Sequence, residues 1–246
     1  MSRVHVDAAS ADDPSRAFSR LVRARRSARG FLPDSIDPGI IRAVLEDAQR
    51  APSNCNTQPW QVHVVSGPTR DLLSRRMIQA RRDGALSLDF SFDVADFGDG
   101  PYRARAHAQG AAYYQSLGVE RSDAAGRDAA GERGLDFFGA PHAAFLFMPR
   151  VGDGVRVAGD VGMYAQTLLL ALEARGLAGV PQTMLGYYAD VVREVLQVDA
   201  ALGLLFGIAF GLADPAGPSS AYRMGRVPLG ESVVLHDTDG VLNGED

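Results

Sequence analysis

The chain has 246 residues, a length that fits one large domain or two small ones. Apolar residues make up 46% and charged residues 22%, so it can bury a sizeable core as an ordinary globular protein. The net charge of −5 gives no reason to expect nucleic acid or an anionic membrane surface as a partner.

Targeting segments, disulfides and metal sites are not indicated either. Residues 1–14 lack the apolar core of a signal peptide, and no run approaches the ~18 apolar residues of a membrane span, so we expect a cytoplasmic protein. The single cysteine, Cys55, excludes an intrachain disulfide. The five histidines are scattered without ligand spacing, and we expect no metal.

In chain order, the first predicted elements are a helix over 14–26 and a second helix that begins at Asp37-Pro38. Asp is a good N-cap and Pro fits the first helical position, while Pro52 ends this helix. A strand over 61–66 and a basic helix over 68–82 follow.

The second half of the chain predicts a helix over 102–117, a short apolar strand over 143–148 and a long helix over 159–175. The long helix is nearly all apolar in its middle, which indicates burial on most sides. A helix over 189–196 and a buried strand over 202–210 complete the pattern. Interleaved helices and strands predict a mixed α/β fold.

The last strand carries glycines at every fourth position, Gly203, Gly207 and Gly211. Because side chains alternate along a strand, we expect all three on one face. Bare backbone on one face indicates close approach of another backbone.

Three arginines and a serine are concentrated near the end of the first predicted helix: Arg25, Arg26, Ser27 and Arg29. Arginine suits bidentate contact with phosphate, and the serine hydroxyl adds a donor. Taken alone, the same cluster is also typical of a solvated surface.

A second polar stretch follows the second predicted helix and contains Ser53, Asn54, Asn56 and Gln58. Amide side chains offer donors and acceptors, as the edge of an isoalloxazine ring does. The alternative is a turn that caps itself through Ser and Asn side chains. Cys55 has no histidine near it in sequence, and we expect a small buried residue rather than a nucleophile.

The two stretches, one helix apart and followed by a strand, resemble the FMN-binding signature of the nitroreductase family. Residues 226–229, Arg-Val-Pro-Leu, resemble the closing basic motif of that family, and residues 137–141, 160–163 and 207–211 resemble its nitrobenzoate-reductase branch. The resemblance implies an α/β (α+β) nitroreductase fold, with a mixed, mostly antiparallel sheet flanked by helices. It also implies a homodimer and a single FMN-binding domain over 1–246, with a core over 15–214 and a C-terminal arm over 215–246 extended onto the partner subunit.

The resemblance also implies roles for individual residues. It implies that the first polar stretch, residues 25–29, and Arg226 bind the phosphate and the pyrimidine edge of FMN. The second stretch, residues 52–58, would contact the flavin bound to the other subunit, and residues 181–184 would lie along the isoalloxazine ring. The cofactor-binding residues predicted in this way are Arg25, Arg26, Ser27, Arg29, Pro52, Ser53, Asn54, Asn56, Gln58, Pro181, Gln182, Thr183, Met184, Arg223 and Arg226.

Two positions depart from the family pattern. Met224 stands where a second basic residue is common, and Arg223, one residue earlier, is the candidate to replace it. Val180 stands where many relatives have a cysteine. Neither change removes the predicted phosphate clamp, but both leave the choice of substrate open.

The implied activity is an FMN-dependent oxidoreductase that takes hydride from NADPH or NADH and reduces a small, aromatic acceptor of the nitro or quinone type. The flavin carries the chemistry, so no side chain is assigned as catalytic. Two alternatives stay open, namely a flavin-dependent dehydrogenase or desaturase of a small metabolite and a non-catalytic flavin-binding protein. Residues 83–101, aromatic and acidic, are either a lid over the ring or a surface insertion.

Overall fold

A computed structural model describes residues 13–236, and its centre is one antiparallel sheet of four strands. The strands stand in the order β1-β2-β4-β3, and each neighbouring pair is antiparallel. Their bounds are β1 Gln61–Ser66, β2 His142–Pro149, β3 Ala178–Gln182 and β4 Leu202–Gly211. The predicted mixed fold with a mostly antiparallel sheet is confirmed.

Helices cover both faces of the sheet and divide the core in two. One core joins the sheet to α3, α5 and α7, and the other joins it to α2 and α6. The helices are α1 Pro14–Ala24, α2 Pro38–Ala48, α3 Gly67–Arg82, α4 Pro101–Ser116, α5 Ala124–Leu135, α6 Val155–Glu173 and α7 Ala189–Leu196. Within the described residues, no helix is both long and apolar enough to cross a membrane.

Two elements were missed in the sequence. Strand β3 contains Gly179 and Pro181, which weaken a strand signal, but β3 is an edge strand and an edge tolerates proline. Helix α5 has few large apolar residues and several glycines. One of them, Gly134, lies where an added Cβ would approach the Met184 side chain within 2.3 Å, so small residues let this helix pack closely.

Several predicted helix bounds also change. Helix α1 ends at Ala24 rather than at residue 26, because the backbone of Arg25 turns to extended angles (φ −55°, ψ 124°). Helix α6 begins four residues before residue 159, after Gly154 in a left-handed conformation (φ 75°). The first correction matters for function, since it places the arginine cluster on extended backbone.

The three glycines of β4 do not share a face. The register between β2 and β4 shifts at Leu146/Phe147, so that Phe206 pairs with Leu146 but Leu204 pairs with Phe147. The extra residue, Leu205, forms a β-bulge that reverses the alternation of side chains. A Cβ on Gly207 would meet Leu185 and one on Gly211 would meet Pro141, whereas one on Gly203 would meet the Phe90 ring on the opposite face.

Candidate functional site

The arginine cluster follows α1 as an extended segment that pairs with the sheet. Ser27 forms a parallel bridge with Gly179 of β3, and the next residue, Ala28, is buried at 2% exposure. Because side chains alternate on extended backbone, Ser27 and Arg29 point away from the core. The segment therefore presents polar groups beside the edge of the sheet.

This segment forms one wall of a cavity of about 740 Å³, and the C-terminal region forms another. The cavity brings together residues that are almost two hundred positions apart in the chain. Its lining is Val22, Arg23, Ala24, Arg25, Arg26, Ser27, Arg29, Gln109, Gln166, Tyr222, Arg223, Met224, Gly225 and Arg226. The predicted convergence of the first arginine cluster with Arg226 is thus found in the structure.

The predicted guanidinium groups of this cavity lack carboxylate partners. Within residues 13–236, none of the five forms an ion pair. Four of them donate to backbone carbonyls: Arg26 to Ser220 O (3.1 Å), Arg29 to Ser27 O (3.4 Å), Arg223 to Ser220 O (2.6 Å) and Tyr222 O (2.8 Å), and Arg226 to Met224 O (3.3 Å) and Gly225 O (3.0 Å).

Burial and the positive charges that line the cavity lower the pKa values of two of its arginines. Burial and then the charge of Arg226 lower the pKa of Arg25, against the opposing charge of Glu173. Burial and then the charge of Arg223 lower the pKa of Arg26. Several positive charges that repel one another in a concave site favour the binding of a multivalent anion such as a phosphate monoester.

Arg29 is held by aromatic rings that the sequence did not point to. Its Cζ lies 5.2 Å from the ring centroids of both Tyr113, on α4, and Tyr222. The Tyr222 hydroxyl accepts from Gln109 Nε2 (2.9 Å) and donates to the Gln109 carbonyl (3.2 Å). No local pattern marks these residues, since they meet only through contacts between distant segments.

The second predicted stretch lies outside this cavity. It forms a single 3-10 turn, Asn54–Asn56, in which Cys55 and Asn56 have positive φ angles (50° and 55°). The Ser53 hydroxyl accepts from the backbone N–H of Gln58 (2.9 Å), as the self-capping alternative expected. Pro52, Asn54, Asn56 and Gln58 are exposed and Ser53 is half-buried.

Cys55 corrects an expectation. It was predicted to be buried, but it is exposed, because the left-handed turn directs it outward. The same turn is anchored from below by Asp160 of α6, a buried carboxylate that accepts from the backbone N–H of Asn54 (3.0 Å). Asp160 is a supporting residue to which the sequence assigned no role at the site.

Residues 181–184 span the end of β3 and the start of a 3-10 segment, Thr183–Tyr187. Pro181 and Thr183 are exposed and Met184 is half-buried. The Gln182 side chain is buried, with Nε2 donating to Gly134 O (2.7 Å) and Oε1 lacking a partner within the described residues. What Gln182 can offer a ligand is therefore its backbone rather than its side chain.

The C-terminal region contacts α4 of its own chain at Tyr222 and Glu231. Glu231 forms an ion pair with Arg105 (3.0 Å), and Ser219 Oγ donates to Arg29 O (3.0 Å). Several apolar side chains beyond residue 228 stay exposed: Leu229, Val233, Val234 and Leu235. Residues 237–246 of the predicted arm lie outside the described residues.

Residues 83–101 divide into two parts. The first is built into the fold, where the Asp89 carboxylate accepts from Arg193 and from the backbone N–H of Leu204 (both 2.7 Å), and Phe92 stacks on Tyr187 at 5.8 Å. The second carries a 3-10 turn, Val94–Phe97, and exposes Phe97 at 49%. A lid can thus involve only the second part.

These features agree with what comparison with known proteins finds. The sequence model of the Nitroreductase family matches residues 22–212. The chain belongs to the nitroreductase family. The matched region includes the first arginine cluster, the Asn54 turn and the whole sheet, and it ends before Arg226.

Individual relatives cover almost the whole nitroreductase domain. The nitroreductase NfnB of Mycolicibacterium smegmatis is 41% identical over 220 residues, which are 89% of this chain and 93% of that protein. The 4-nitrobenzoate reductase of Pseudomonas putida is 31% identical over 211 residues, 85% of this chain and 91% of its own length.

A solved structure extends the similarity to three dimensions. The crystal structure of the FMN-dependent nitroreductase NfnB from Mycobacterium smegmatis in complex with NADPH matches with a TM-score of 0.88 and 40% identity. The match covers 92% of this chain and 100% of that one. The predicted nitroreductase fold is confirmed.

Proposed function

We propose that this nitroreductase is an FMN-dependent oxidoreductase that takes hydride from NADPH or NADH and reduces a small aromatic acceptor, nitro- or quinone-like. The observation that carries the proposal is the cavity with six guanidinium groups, five of them predicted from the sequence, and no carboxylate ion pair within the described residues. The relatives described above, named for FMN, NADPH and nitrobenzoate, support the choice of cofactor and acceptor.

The donor set fits FMN. Arg25, Ser27, Arg29 and Arg226 would hold the phosphate and the pyrimidine edge, while Arg26 and Arg223 supply further positive charge in the same cavity. When bound, FMN supplies the redox chemistry, accepting hydride and passing electrons on. The residues of this chain bind, orient and exclude water, and we assign none of them as a general acid or base.

Residues 181–184 would lie along the isoalloxazine ring. The parallel bridge between Ser27 and Gly179 supports this placement, because it sets the end of β3 beside the arginine segment. Pro181 and Thr183 are exposed and so are available to the ring, while the buried Gln182 side chain anchors the strand end to α5.

We further propose that the protein works as a homodimer, in which the loop with Pro52, Ser53, Asn54, Asn56 and Gln58 reaches the flavin of the other subunit. The exposure of this loop outside the arginine cavity of its own chain supports the idea. So does a second cavity, of about 560 Å³, between α2 and the edge strand β1, lined in part by Trp60, Val62 and Val64. Unsatisfied edge strands invite an added strand.

On the partner subunit, the exposed apolar end of the C-terminal arm would occupy the cavity between α2 and β1. A chain that stops after Glu231 keeps Arg226 and the Arg105 ion pair but loses Val233, Val234 and Leu235. We expect it to dissociate at concentrations where the full chain is dimeric in light scattering. If it stayed dimeric, these residues would not be what holds the arm.

Rapid mixing under anaerobic conditions tests the activity itself. FMN-loaded protein should lose its yellow absorbance on mixing with NADPH or NADH and regain it with 4-nitrobenzoate or a simple quinone. Bleaching by an organic donor alone would establish the dehydrogenase instead, and the absence of bleaching by any donor would establish a flavin-binding protein without turnover.

The second part of the 83–101 segment remains our candidate for a substrate lid, since Phe97 and Tyr102 are exposed aromatic side chains near the start of α4. Replacing both by alanine should change the KM or rate for the acceptor more than the rate of flavin reduction by nicotinamide. Equal rates in both half-reactions would mark a surface insertion.

A further inference from the structure

Arg29 differs from the other arginines of the cavity in what holds its side chain. Its one hydrogen bond to a carbonyl is long, 3.4 Å to Ser27 O. Its guanidinium instead lies in a corner between Tyr113 and Tyr222, whose ring centroids are 6.0 Å apart with planes at 65°. Cation–π contacts with the two tyrosine rings are therefore the main interactions that hold the Arg29 guanidinium.

The corner is braced on each side. Tyr222 exchanges two hydrogen bonds with Gln109, one turn before Tyr113 on α4. Tyr113 meets the Phe138 ring edge-on at 6.4 Å. The backbone of Arg29 is fixed as well, since its carbonyl accepts from Ser219 Oγ (3.0 Å) and from Arg133 (3.2 Å).

We propose that Tyr113 and Tyr222 are positioning residues, which hold the Arg29 guanidinium in the orientation that FMN binding needs. A guanidinium against aromatic faces keeps N–H donors in its plane free for a ligand, and it loses less side-chain freedom when the ligand arrives. The inference rests on the proposed role of Arg29 in FMN binding.

The position of Tyr222 gives the proposal a second consequence. Tyr222 belongs to the segment after β4, whereas Arg29 follows α1 and Tyr113 lies on α4. Docking of this segment places the Tyr222 ring against Arg29, and FMN binding uses the same oriented guanidinium. Each event therefore favours the other. Loss of either ring should weaken FMN binding through the orientation of Arg29, although Tyr222 also lines the cavity itself.

FMN titrations of full-length protein stripped of flavin test the idea. Tyr113→Leu and Tyr222→Leu should each weaken FMN binding about two- to fivefold, the range of an exposed cation–π contact. Tyr222→Phe and Tyr222→Trp keep an aromatic face and should bind within twofold of the natural chain. Tyr113→Phe should also match it, since the Tyr113 hydroxyl is buried without a partner among the described residues.

The deciding measurement repeats the leucine substitutions in an Arg29→Ala background. If the rings act through Arg29, they cause no further loss there. An equal loss in both backgrounds would overturn the proposal alone and leave the cofactor role of Arg29 intact. Unchanged FMN affinity in Arg29→Ala itself would overturn both.

A readout of fold integrity accompanies each titration. Thermal unfolding of flavin-free Tyr222→Leu should stay close to that of the natural chain, because Tyr222 is half-buried against α4 and lies outside the buried core clusters. Tyr113→Leu also loses a contact with the buried Phe138 ring, so its midpoint should fall somewhat. A leucine variant that lost FMN affinity only together with its unfolding midpoint, and that tryptophan at position 222 did not rescue, would contradict a positioning role.

Discussion

Two regions of the molecule are rich in arginine, but within residues 13–236 carboxylates pair with the arginines in only one of them. On α3 the arginines meet carboxylates supplied by other helices. The pairs are Arg76–Glu194 (2.7 Å), Arg81–Asp128 (3.0 Å) and Arg82–Glu132 (2.7 Å), with Arg70–Asp136 (2.8 Å) just beyond α5. In the cavity after α1, Arg26 and Arg223 both donate to the Ser220 carbonyl, and burial together with the nearby charges of Arg226 and Arg223 lowers the pKa values of Arg25 and Arg26.

The difference shows that the number of arginines does not mark an anion site. What distinguishes the cavity is that, among the described residues, no carboxylate lies within ion-pair distance of its guanidinium groups. A sequence gives the number directly, but the partners of α3 come from α5 and α7, so only the fold reveals which cluster is neutralised.

The largest effect should follow from Arg226→Ala or Arg25→Ala. In the proposed FMN site, each substitution would remove a charge-assisted hydrogen bond to the cofactor phosphate worth about 1.5–3 kcal/mol, so FMN affinity should fall about ten- to a hundredfold. Titration of flavin-free protein with FMN measures it. The matched control is Arg76→Ala, a paired arginine on α3, which should bind FMN as the natural chain does.

The same variants sharpen the comparison through their stability. Flavin-free Arg25→Ala should unfold at the same temperature as the natural chain or higher, because it relieves repulsion from Arg226. A clear loss of stability would mean that Arg25 is neutralised within the protein, and the contrast between the two regions would fail.

Arg70→Met should have the opposite consequence, a loss of stability of about 1–3 kcal/mol. Arg70 is 12% exposed, pairs with Asp136, and donates to the backbone carbonyls of Asp136 and Ala140, and all of these bonds would be lost. Urea unfolding measures the change. Arg75→Met, an exposed position on the same helix, is the control and should change little. Similar values for both would show that the Arg70 bonds contribute nothing net.

His142 extends the comparison to a group that must stay neutral. It is buried, its Nε2 accepts from the backbone N–H of Ile36 (2.9 Å), and its Nδ1 therefore carries the proton shared with Ser66 Oγ. Burial lowers its pKa, so the unfolded chain takes up the proton more readily. This contribution to stability is complete above pH 6.5 and is lost as the pH falls below it.

Thermal unfolding between pH 7.5 and 5 measures this dependence. The midpoint of the natural chain should fall more steeply with acid than that of His142→Gln. His107→Gln, at an exposed position on α4, should follow the natural chain. Parallel curves for all three proteins would show that His142 does not set the acid limit.

The smallest effect should come from Arg82→Ala. Its partner is Glu132, and the Arg82 side chain is 60% exposed, so solvent and salt screen the pair. We expect a barely measurable shift in the unfolding midpoint, and none in 1 M salt. A shift as large as that of Arg70→Met would contradict the idea that exposed pairs on α3 serve mainly to neutralise charge.

Much of the site could be predicted because it is local. Arg25, Ser27 and Arg29 lie within five residues, and a short motif near the C-terminus points to Arg226. That these residues line one cavity follows from the family resemblance rather than from any single pattern.

The parts that were missed depend on contacts between distant segments. The Leu205 bulge, which turns Gly203 to the other face, arises from pairing with β2 and leaves no mark in the periodicity of β4. Helix α5 is stabilised by its neighbours rather than by an apolar stripe, and the corner around Arg29 joins residues from α4 and the chain after β4.

The bridge between Ser27 and Gly179 makes the chain sensitive to length at one place. An insertion of one residue between Ser27 and Arg29 would slide the arginine by about 3.3 Å and turn it toward the side where Ala28 is buried. A substitution there changes the strength of a contact, but the insertion or deletion of one residue would reverse the direction in which the Arg29 side chain points. This short stretch should therefore tolerate changes of residue type far better than changes of length, unlike the exposed loop before α4.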